Sequence, residues 1–428
     1  MKALRALLAI VAALGVLASG AAFAQRPPTT SQEARTAAEA PLAVELAPPP
    51  RIGVATMSPG TIFFERFGHN AIVVDDPAND RPLSYNFGFF DMEEDGFIGR
   101  FVRGEMMYRL VELPLTDDLR YYEESGRGVR MQWLALDETQ ARSIAAALAE
   151  NAKPENARYR YEYFTDNCAT RVRDAIDRAL GGGILEKQLK SRSQGNTYRS
   201  EAVRLASPAP WMWLGFDLGL GPAADAPLSR WEDAYVPMRL ADSLRDVRLP
   251  DGRPLVSADR TLLPHRIAPE PAEFQPVWWR WTLGGLVLAG LWLALRAYAP
   301  RTAAALALGV WVVAALLGAV MLFVWLGTEH RFGWANRNLL LLGPHCALLW
   351  PGAWRALRGR EPGRVFRIAL TATVALATLS LFVYWITAGS AAAFQANAHW
   401  IGALLPIHAA FAFAWLRPSA SVQPSSGG

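Results

Sequence analysis

The chain has 428 residues, of which 52% are hydrophobic and only 19% charged, with 16 tryptophans, two cysteines and a formal net charge of +4. The charged share lies below the roughly 25% of soluble globular proteins. These values exclude a disordered or collagen-like chain, a disulfide scaffold and a Cys-rich metal site, and the charge gives no argument for nucleic acid. A single soluble enzyme is also disfavoured, because after residue 275 the only acidic residues are Glu329 and Glu361 and the composition turns membrane-like.

Residues 1–24 open with Lys2 and Arg5, continue as an apolar run and close on Ala22-Phe23-Ala24. This is the pattern of a secretory signal peptide. Read as an uncleaved anchor, it would still send the following domain across the membrane. Residues 25–50, rich in Pro and Ala, read as a flexible linker. Strands are predicted at 51–57, 67–74, 83–90, 106–115 and 129–136. The cluster Asp75-Asp76-Pro77-Ala78-Asn79-Asp80 supplies the turn between the second and third. A helix capped by Asp137 is expected to 151, followed by a short aromatic run at 159–164.

The next element carries chemistry. Val172, Ala175, Ile176, Ala179 and Leu180 recur at helical spacing, Asp166 or Asn167 is a natural N-cap, and Gly181-Gly182-Gly183 is a natural stop. Cys168 therefore falls in the first helical turn, where the unpaired N–H groups and the positive end of the helix dipole favour a thiolate. The competing reading is a buried thiol acting as a small apolar residue.

After residue 276 come five apolar stretches, near 279–298, 303–326, 338–354, 366–387 and 399–416. Each is about long enough to cross a ~30 Å hydrocarbon core, the first and third marginally. The first connection holds Arg296 and Arg301, the third holds Arg355, Arg358, Arg360, Arg364 and Arg367, and Arg417 follows the last stretch. The positive-inside rule puts these inside and the domain at 51–275 outside, with residues 418–428 as a cytoplasmic tail. Trp278, Trp279, Trp281, Trp334, Trp350, Trp354 and Trp400 sit near the ends of the stretches, as an interfacial belt does.

Cys346 lies within the third apolar stretch, so it does not pair readily with Cys168. A lone thiol in an oxidising compartment is buried or used. A base for it must be a histidine, and residues 51–275 hold only His69 and His265. Gly68 before His69 admits a close neighbour, whereas His265 lies near the membrane linker. A Cys–His pair needs a third polar group to hold the imidazole. Asp75, Tyr85, Asn86 and Asp91 are all candidates, with Asp75 and Asn86 foremost. Asp166 and Asn167 are candidates for oxyanion or helix-cap support. Arg100, Arg103 and Arg109 read as a solvated basic face, with lipid phosphate as the functional alternative. No cofactor motif is present, and no metal-ligand spacing. The connection at 328–338 is unusually polar, so Glu329, His330, Asn336 and Asn338 form a candidate substrate loop at the membrane surface. His345, inside an apolar stretch, is a weaker candidate.

Ser58-Pro59-Gly60, Phe67-Gly68-His69, Tyr85-Asn86-Phe87-Gly88-Phe89-Phe90-Asp91 and Asp166-Asn167-Cys168-Ala169-Thr170-Arg171 together resemble the periplasmic domain of the Lnb-like lipoprotein N-acyltransferases. Thr328-Glu329-His330 and Asn336-Arg337-Asn338-Leu339-Leu340 resemble the outer loop of that family's membrane part, and the resemblance runs from about 51 to 416. It implies an α+β, circularly permuted papain-like (NlpC/P60-like) domain followed by an all-α bundle of five transmembrane helices at 276–417. It also implies Cys168 as nucleophile and His69 as base. The implied reaction takes a fatty acyl group from a membrane phospholipid through a Cys168 thioester to the N-terminal amine of a lipoprotein, at the outer surface of a bacterial inner membrane. Two other readings stand beside it. One is a membrane-anchored cysteine peptidase or amidase acting on the cell wall. The other is a non-enzymatic sensor or assembly factor, for which Cys168 would be dispensable.

Overall fold

The computed structural model describes residues 48–417 apart from Glu273 and Gln275. The expected signal peptide at 1–24, nearly all of the linker at 25–50 and the tail at 418–428 lie outside the described residues.

One antiparallel sheet organises the N-terminal part, in the order β6-β4-β3-β2-β1-β5-β7. Its strands are β1 (Arg51–Met57), β2 (His69–Asp75), β3 (Leu83–Phe89), β4 (Met107–Pro114), β5 (Val129–Leu134), β6 (Arg158–Arg160) and β7 (Val256–Leu263). Among the described residues, its longer helices are α1 (Phe97–Arg103), α2 (Leu115–Glu124), α3 (Glu138–Asn151), α4 (Cys168–Ala179), α5 (Tyr198–Ala206), α6 (Pro210–Gly219) and α7 (Pro237–Asp246), with two one-turn helices at Ile184–Gln188 and Arg230–Asp233. The central strands read as almost continuous apolar runs because both faces of the sheet are covered. Ile52, Val54, Ile72 and Val74 pack with Ile144 of α3, Val172 and Ile176 of α4 and Leu240 of α7. Ala55, Met57, Ala71 and Val73 pack on the other face with Leu119 and Tyr122 of α2.

Most predicted strands are present with ends moved by a residue or two, and the aromatic run contributes only the short edge strand β6. Periodicity did not reveal β7, a polar edge strand largely open to solvent that pairs with β5. Nor did it reveal α1 and α2.

Among the described residues, four helices are long and apolar enough to cross a membrane: α8 (Trp278–Tyr298), α9 (Pro300–Gly327), α11 (Arg364–Thr387) and α12 (Ala398–Leu416). The expected third span at 338–354 is not one continuous helix. It runs as two 3-10 turns, Arg337–Leu340 and Pro344–Leu349, and a short α10 (Trp350–Leu357). Gly343, Pro344 and Pro351 explain the break, since proline supplies no N–H and disfavours a helical residue before it. This broken segment still passes from one end of the bundle to the other. Arg337 Nη1 donates to Thr387 Oγ1 (2.6 Å) at the end facing the sheet domain. Gly318 of α9 lies against Leu342 and Gly343, and Gly352 against Phe366 near the start of α11. The basic connections meet at the far end, where Gly359 lies against Arg301 and Arg296 donates to the Ala414 carbonyl (3.2 Å).

The two parts are docked through α6 and the connection after α9. The Leu218 carbonyl accepts from Asn336 Nδ2 (2.8 Å) and Asn338 Nδ2 (3.1 Å), and Glu329 N–H donates to the Arg103 carbonyl (2.7 Å). Gly221 N–H donates to the Phe332 carbonyl (2.6 Å), and a Cβ on Gly221 would fall 2.1 Å from the Trp334 carbonyl oxygen, so only glycine fits there.

Candidate active site

Cys168 occupies the first position of α4 because Asn167 caps that helix. Asn167 Oδ1 accepts from Thr170 N–H (3.0 Å), and Thr170 Oγ1 accepts from Asn167 N–H (2.7 Å), a reciprocal capping box. Val172 and Ile176, both fully buried, anchor the helix in the core and so fix where its N-terminus points. That terminus reaches over the ends of β2 and β3. His69 begins β2, and Gly88, at the register shift between Phe87 and Phe89, has φ +96° and leaves the approach to Cys168 open. Gly68 has φ +74°, and a Cβ there would meet the Met57 carbonyl oxygen at 2.8 Å. Glycine is therefore required for the chain to enter β2 in this register.

His69 and Cys168 share one cavity wall and lie close enough for each to govern the other's charge. Burial disfavours the imidazolium, but the facing thiolate, its hydrogen bond, Asp118 and Asn86 together hold the His69 pKa above its ordinary value. Burial likewise disfavours the thiolate, but the His69 charge, its hydrogen bond and the backbone N–H groups of Asn70 and Ala169 hold Cys168 below its ordinary value. Both shifts favour a thiolate–imidazolium pair.

Of the four candidates for the third group, Asn86 is the one beside His69. The β2–β3 register sets Asn86 opposite Ala71, which makes it a diagonal neighbour of His69, and Asn86 Oδ1 lies 3.0 Å from His69 Nε2. The amide is oriented from behind. Asn86 Nδ2 donates to Asp118 Oδ2 (2.9 Å) and Ser84 Oγ (3.1 Å), and Ser84 Oγ donates to the same carboxylate oxygen (2.6 Å). Asp118 is an acceptor only, so Asn86 must present its oxygen to His69. Nε2 then carries the proton and Nδ1 remains for the thiol. Asp75 is six residues along β2, roughly 20 Å at a strand's rise, and pairs with Arg51 (3.6 Å). Tyr85 is buried beside Glu112, and Asp91 caps the turn at Glu93.

The other candidates take other places. Asp166 forms a bidentate ion pair with Arg171. Asn167 spends both amide hydrogens on the Tyr163 (2.8 Å) and Tyr235 (3.0 Å) carbonyls, so its side chain has no donor left for an oxyanion. His265 is committed to Gly128 N–H (3.1 Å) and the Ala268 carbonyl (2.7 Å). Asn336 and Asn338 clamp α6, and Glu329 pairs with Arg160 (3.7 Å). His330 alone of the loop candidates lines the cavity that holds Cys168. It stacks on Tyr163 (5.7 Å between centroids), and its Nε2 lies 3.0 Å from the Phe101 carbonyl. Burial lowers its pKa, opposed by the Phe101 and Val102 carbonyls and Glu162.

That cavity has a volume of about 330 Å³. Cys168 and His69 stand at one side, Phe63, Phe87 and Phe216 line it, and Phe332 and Val324 close it from the membrane part. Sequence reasoning missed Asp118 and Ser84. The signal present was Asp118 in the amphipathic stretch of α2, one helical turn from the buried Tyr122.

The relay predicts a pH effect. Asn86→Ala removes a bond that favours the imidazolium, so the alkaline limb of the kcat/KM profile, where His69 loses its proton, moves to lower pH. The rate at the optimum falls by about 10- to 100-fold. A full pH–rate profile checks this, and an unmoved alkaline limb contradicts it.

Residues 50–202 match the family model described as the Lnb N-terminal periplasmic domain. No curated protein and no solved structure matches the chain significantly. The matched span contains the central strands, α4 and every member of the Cys168–His69–Asn86–Asp118 chain. The part of the chain that sets a thiol beside an oriented imidazole therefore lies within the span that matches the Lnb N-terminal periplasmic domain, and it is followed in the same chain by helices able to cross a membrane.

Proposed function

We propose that this protein is a membrane-embedded thiol acyltransferase of the bacterial inner membrane, with the sheet domain in the periplasm. It moves a fatty acyl group from a membrane phospholipid, through a thioester on Cys168, to the N-terminal amine of a lipoprotein. The observation that carries this reading is the continuity of one aromatic cavity from Cys168 to Val324, three residues inside the outer end of α9. A cavity walled in this way suits an acyl chain better than a soluble peptide. The N-terminal match supports the acyltransferase class. The Cys-bearing helix set over a His-bearing strand, with His first in the chain, supports a circularly permuted papain-like arrangement.

In the first half-reaction the Cys168 thiolate attacks the ester carbonyl carbon. The C–O bond breaks, and the leaving oxygen takes the proton of the His69 imidazolium. In the second, the neutral amine attacks the thioester. The C–N bond forms, the C–S bond breaks and the amine proton passes to His69, which restores the ion pair. The Cys168 N–H, at the start of α4 and outside the capping box, is the donor for the oxyanion in both steps. Phe332 and Gly333 cover the cavity from the membrane side and limit hydrolysis of the thioester.

The test is mass spectrometry of lipoprotein N-termini from cells that lack their own N-acyltransferase and carry this protein. An added N-acyl chain is expected. Stably inserted protein with unacylated N-termini would overturn the reading.

A further inference from the structure

Next to residues that line the cavity stand apolar side chains that the fold leaves uncovered. Ile62 is 50% exposed, Phe64 40%, Ile98 68% and Trp211 60%. They belong to three separate elements that converge. Phe63, in the 3-10 turn Phe63–Glu65, lies 6.3 Å from Trp211 and 6.2 Å from Phe216 of α6, centroid to centroid. Phe64 lies 4.7 Å from Phe90, which stacks at 5.6 Å on Phe97 of α1. Phe63, Phe64, Phe90 and Phe216 all line the cavity. The turn therefore bridges α6 and α1, and Phe64 belongs both to the inner wall and to the exposed rim.

Both flanks of this rim are tied to the outer end of the membrane helices. At α6, Trp213, two residues from Trp211, packs on Phe274 (5.1 Å) and on Trp281 (6.3 Å) in the first turn of α8. At α1, the Arg103 carbonyl holds Glu329. The exposed Trp278 and Trp279 mark the same level on α8, where tryptophan favours the headgroup zone. The charges at the turn agree. Glu65 is occupied by Tyr121 (2.6 Å) and Arg127 (3.4 Å), and the next residue, Arg66, half-buried and donating to the Thr61 carbonyl (3.1 Å), keeps a cation at the turn.

We infer that Ile62, Phe64, Ile98 and Trp211 form a lip that sits in the outer leaflet of the bilayer, so that the cavity opens sideways to phospholipid acyl chains. The lip deepens the proposed function by naming the surface from which the donor enters, but it rests on the position of the cavity and not on the acyl-transfer chemistry.

Spin labels test it in the full chain in phospholipid nanodiscs, with Cys168→Ala and Cys346→Ala as background. Ile62→Cys and Trp211→Cys are each labelled and compared with Leu283→Cys on α8 as the lipid control and with Glu150→Cys on α3 as the aqueous control. Relaxation by oxygen exceeding relaxation by a water-soluble nickel chelate at 62 and 211, as at 283, is the expected result. Nickel-dominated relaxation at both positions, as at 150, overturns the lip. No activity enters this reading, so failure of the acyltransferase proposal and failure of the lip are separately visible.

Discussion

Replacing Cys168 by serine is expected to abolish the acyl-enzyme and to lower transfer by about a thousandfold or more. The side chain is 8% exposed and its replacement nearly isosteric, so the fold survives. What is lost is the charge. The thiolate is the largest influence raising the His69 pKa, and His69 is in turn the largest influence lowering that of Cys168. A serine hydroxyl is far too weak an acid to enter such a pair, so His69 returns toward its ordinary value and the nucleophile stays protonated. Intact-protein mass spectrometry after incubation with phospholipid reads the acyl adduct directly. Wild-type adduct levels in Cys168→Ser would sink Cys168 as the nucleophile. The cell-wall hydrolase reading also needs this thiol, so the adduct's mass, a fatty acyl group rather than a peptide fragment, separates the two.

The second large effect is structural. Arg199→Met is expected to destabilise the protein by about 3–5 kcal/mol. Arg199 is 4% exposed, and its guanidinium spans Asp225 (2.9 Å) and the carbonyls of Asp217 (2.5 Å) and Leu220 (2.8 Å), which end α6. The Asp217 carboxylate, 1% exposed, then receives His399 Nε2 (2.5 Å) and Trp400 Nε1 (2.7 Å) from α12. Removing the guanidinium leaves Asp225 buried without its partner and frees the end of α6, the helix on which the two parts of the molecule dock. Thermal unfolding in detergent measures the loss. A melting temperature within about 1 °C of wild type would contradict it. Limited proteolysis should cut between the two parts first if the docking is what fails.

Local pattern was enough to read the Cys168 helix. A cap, an apolar stripe and a glycine stop all act within one stretch of chain, and Asn167, Ile176 and Gly181 sit where those signals put them. The pairing of Cys168 with His69 was also within reach, because the N-terminal part offers only one other histidine. The third group was not. Asp75 lies on the same strand as His69 and looked as close as Asn86 on the next one. Only the β2–β3 register, set by pairing across a turn, makes Asn86 the neighbour and leaves Asp75 at the other end of β2. Asp118 was invisible for the same reason, since its role depends on α2 crossing the far face of the sheet beneath Ser84 and Asn86.

In the membrane part, hydropathy located the apolar stretches and the arginines oriented them, because insertion depends on summed transfer energy and on charge in short connections. Hydropathy could not show that 338–354 is broken, since Gly343, Pro344 and Pro351 change backbone geometry with little effect on apolarity. Nor could it show that Phe332 and Val324 close a cavity begun by Phe63 and Cys168, more than a hundred residues away. What the sequence by itself determined is each local preference: which stretches are apolar, which helix is capped and which thiol lies at a helix start. Tertiary structure alone decided which of these meet, because register, helix crossing and domain docking are set by packing between segments far apart in the chain.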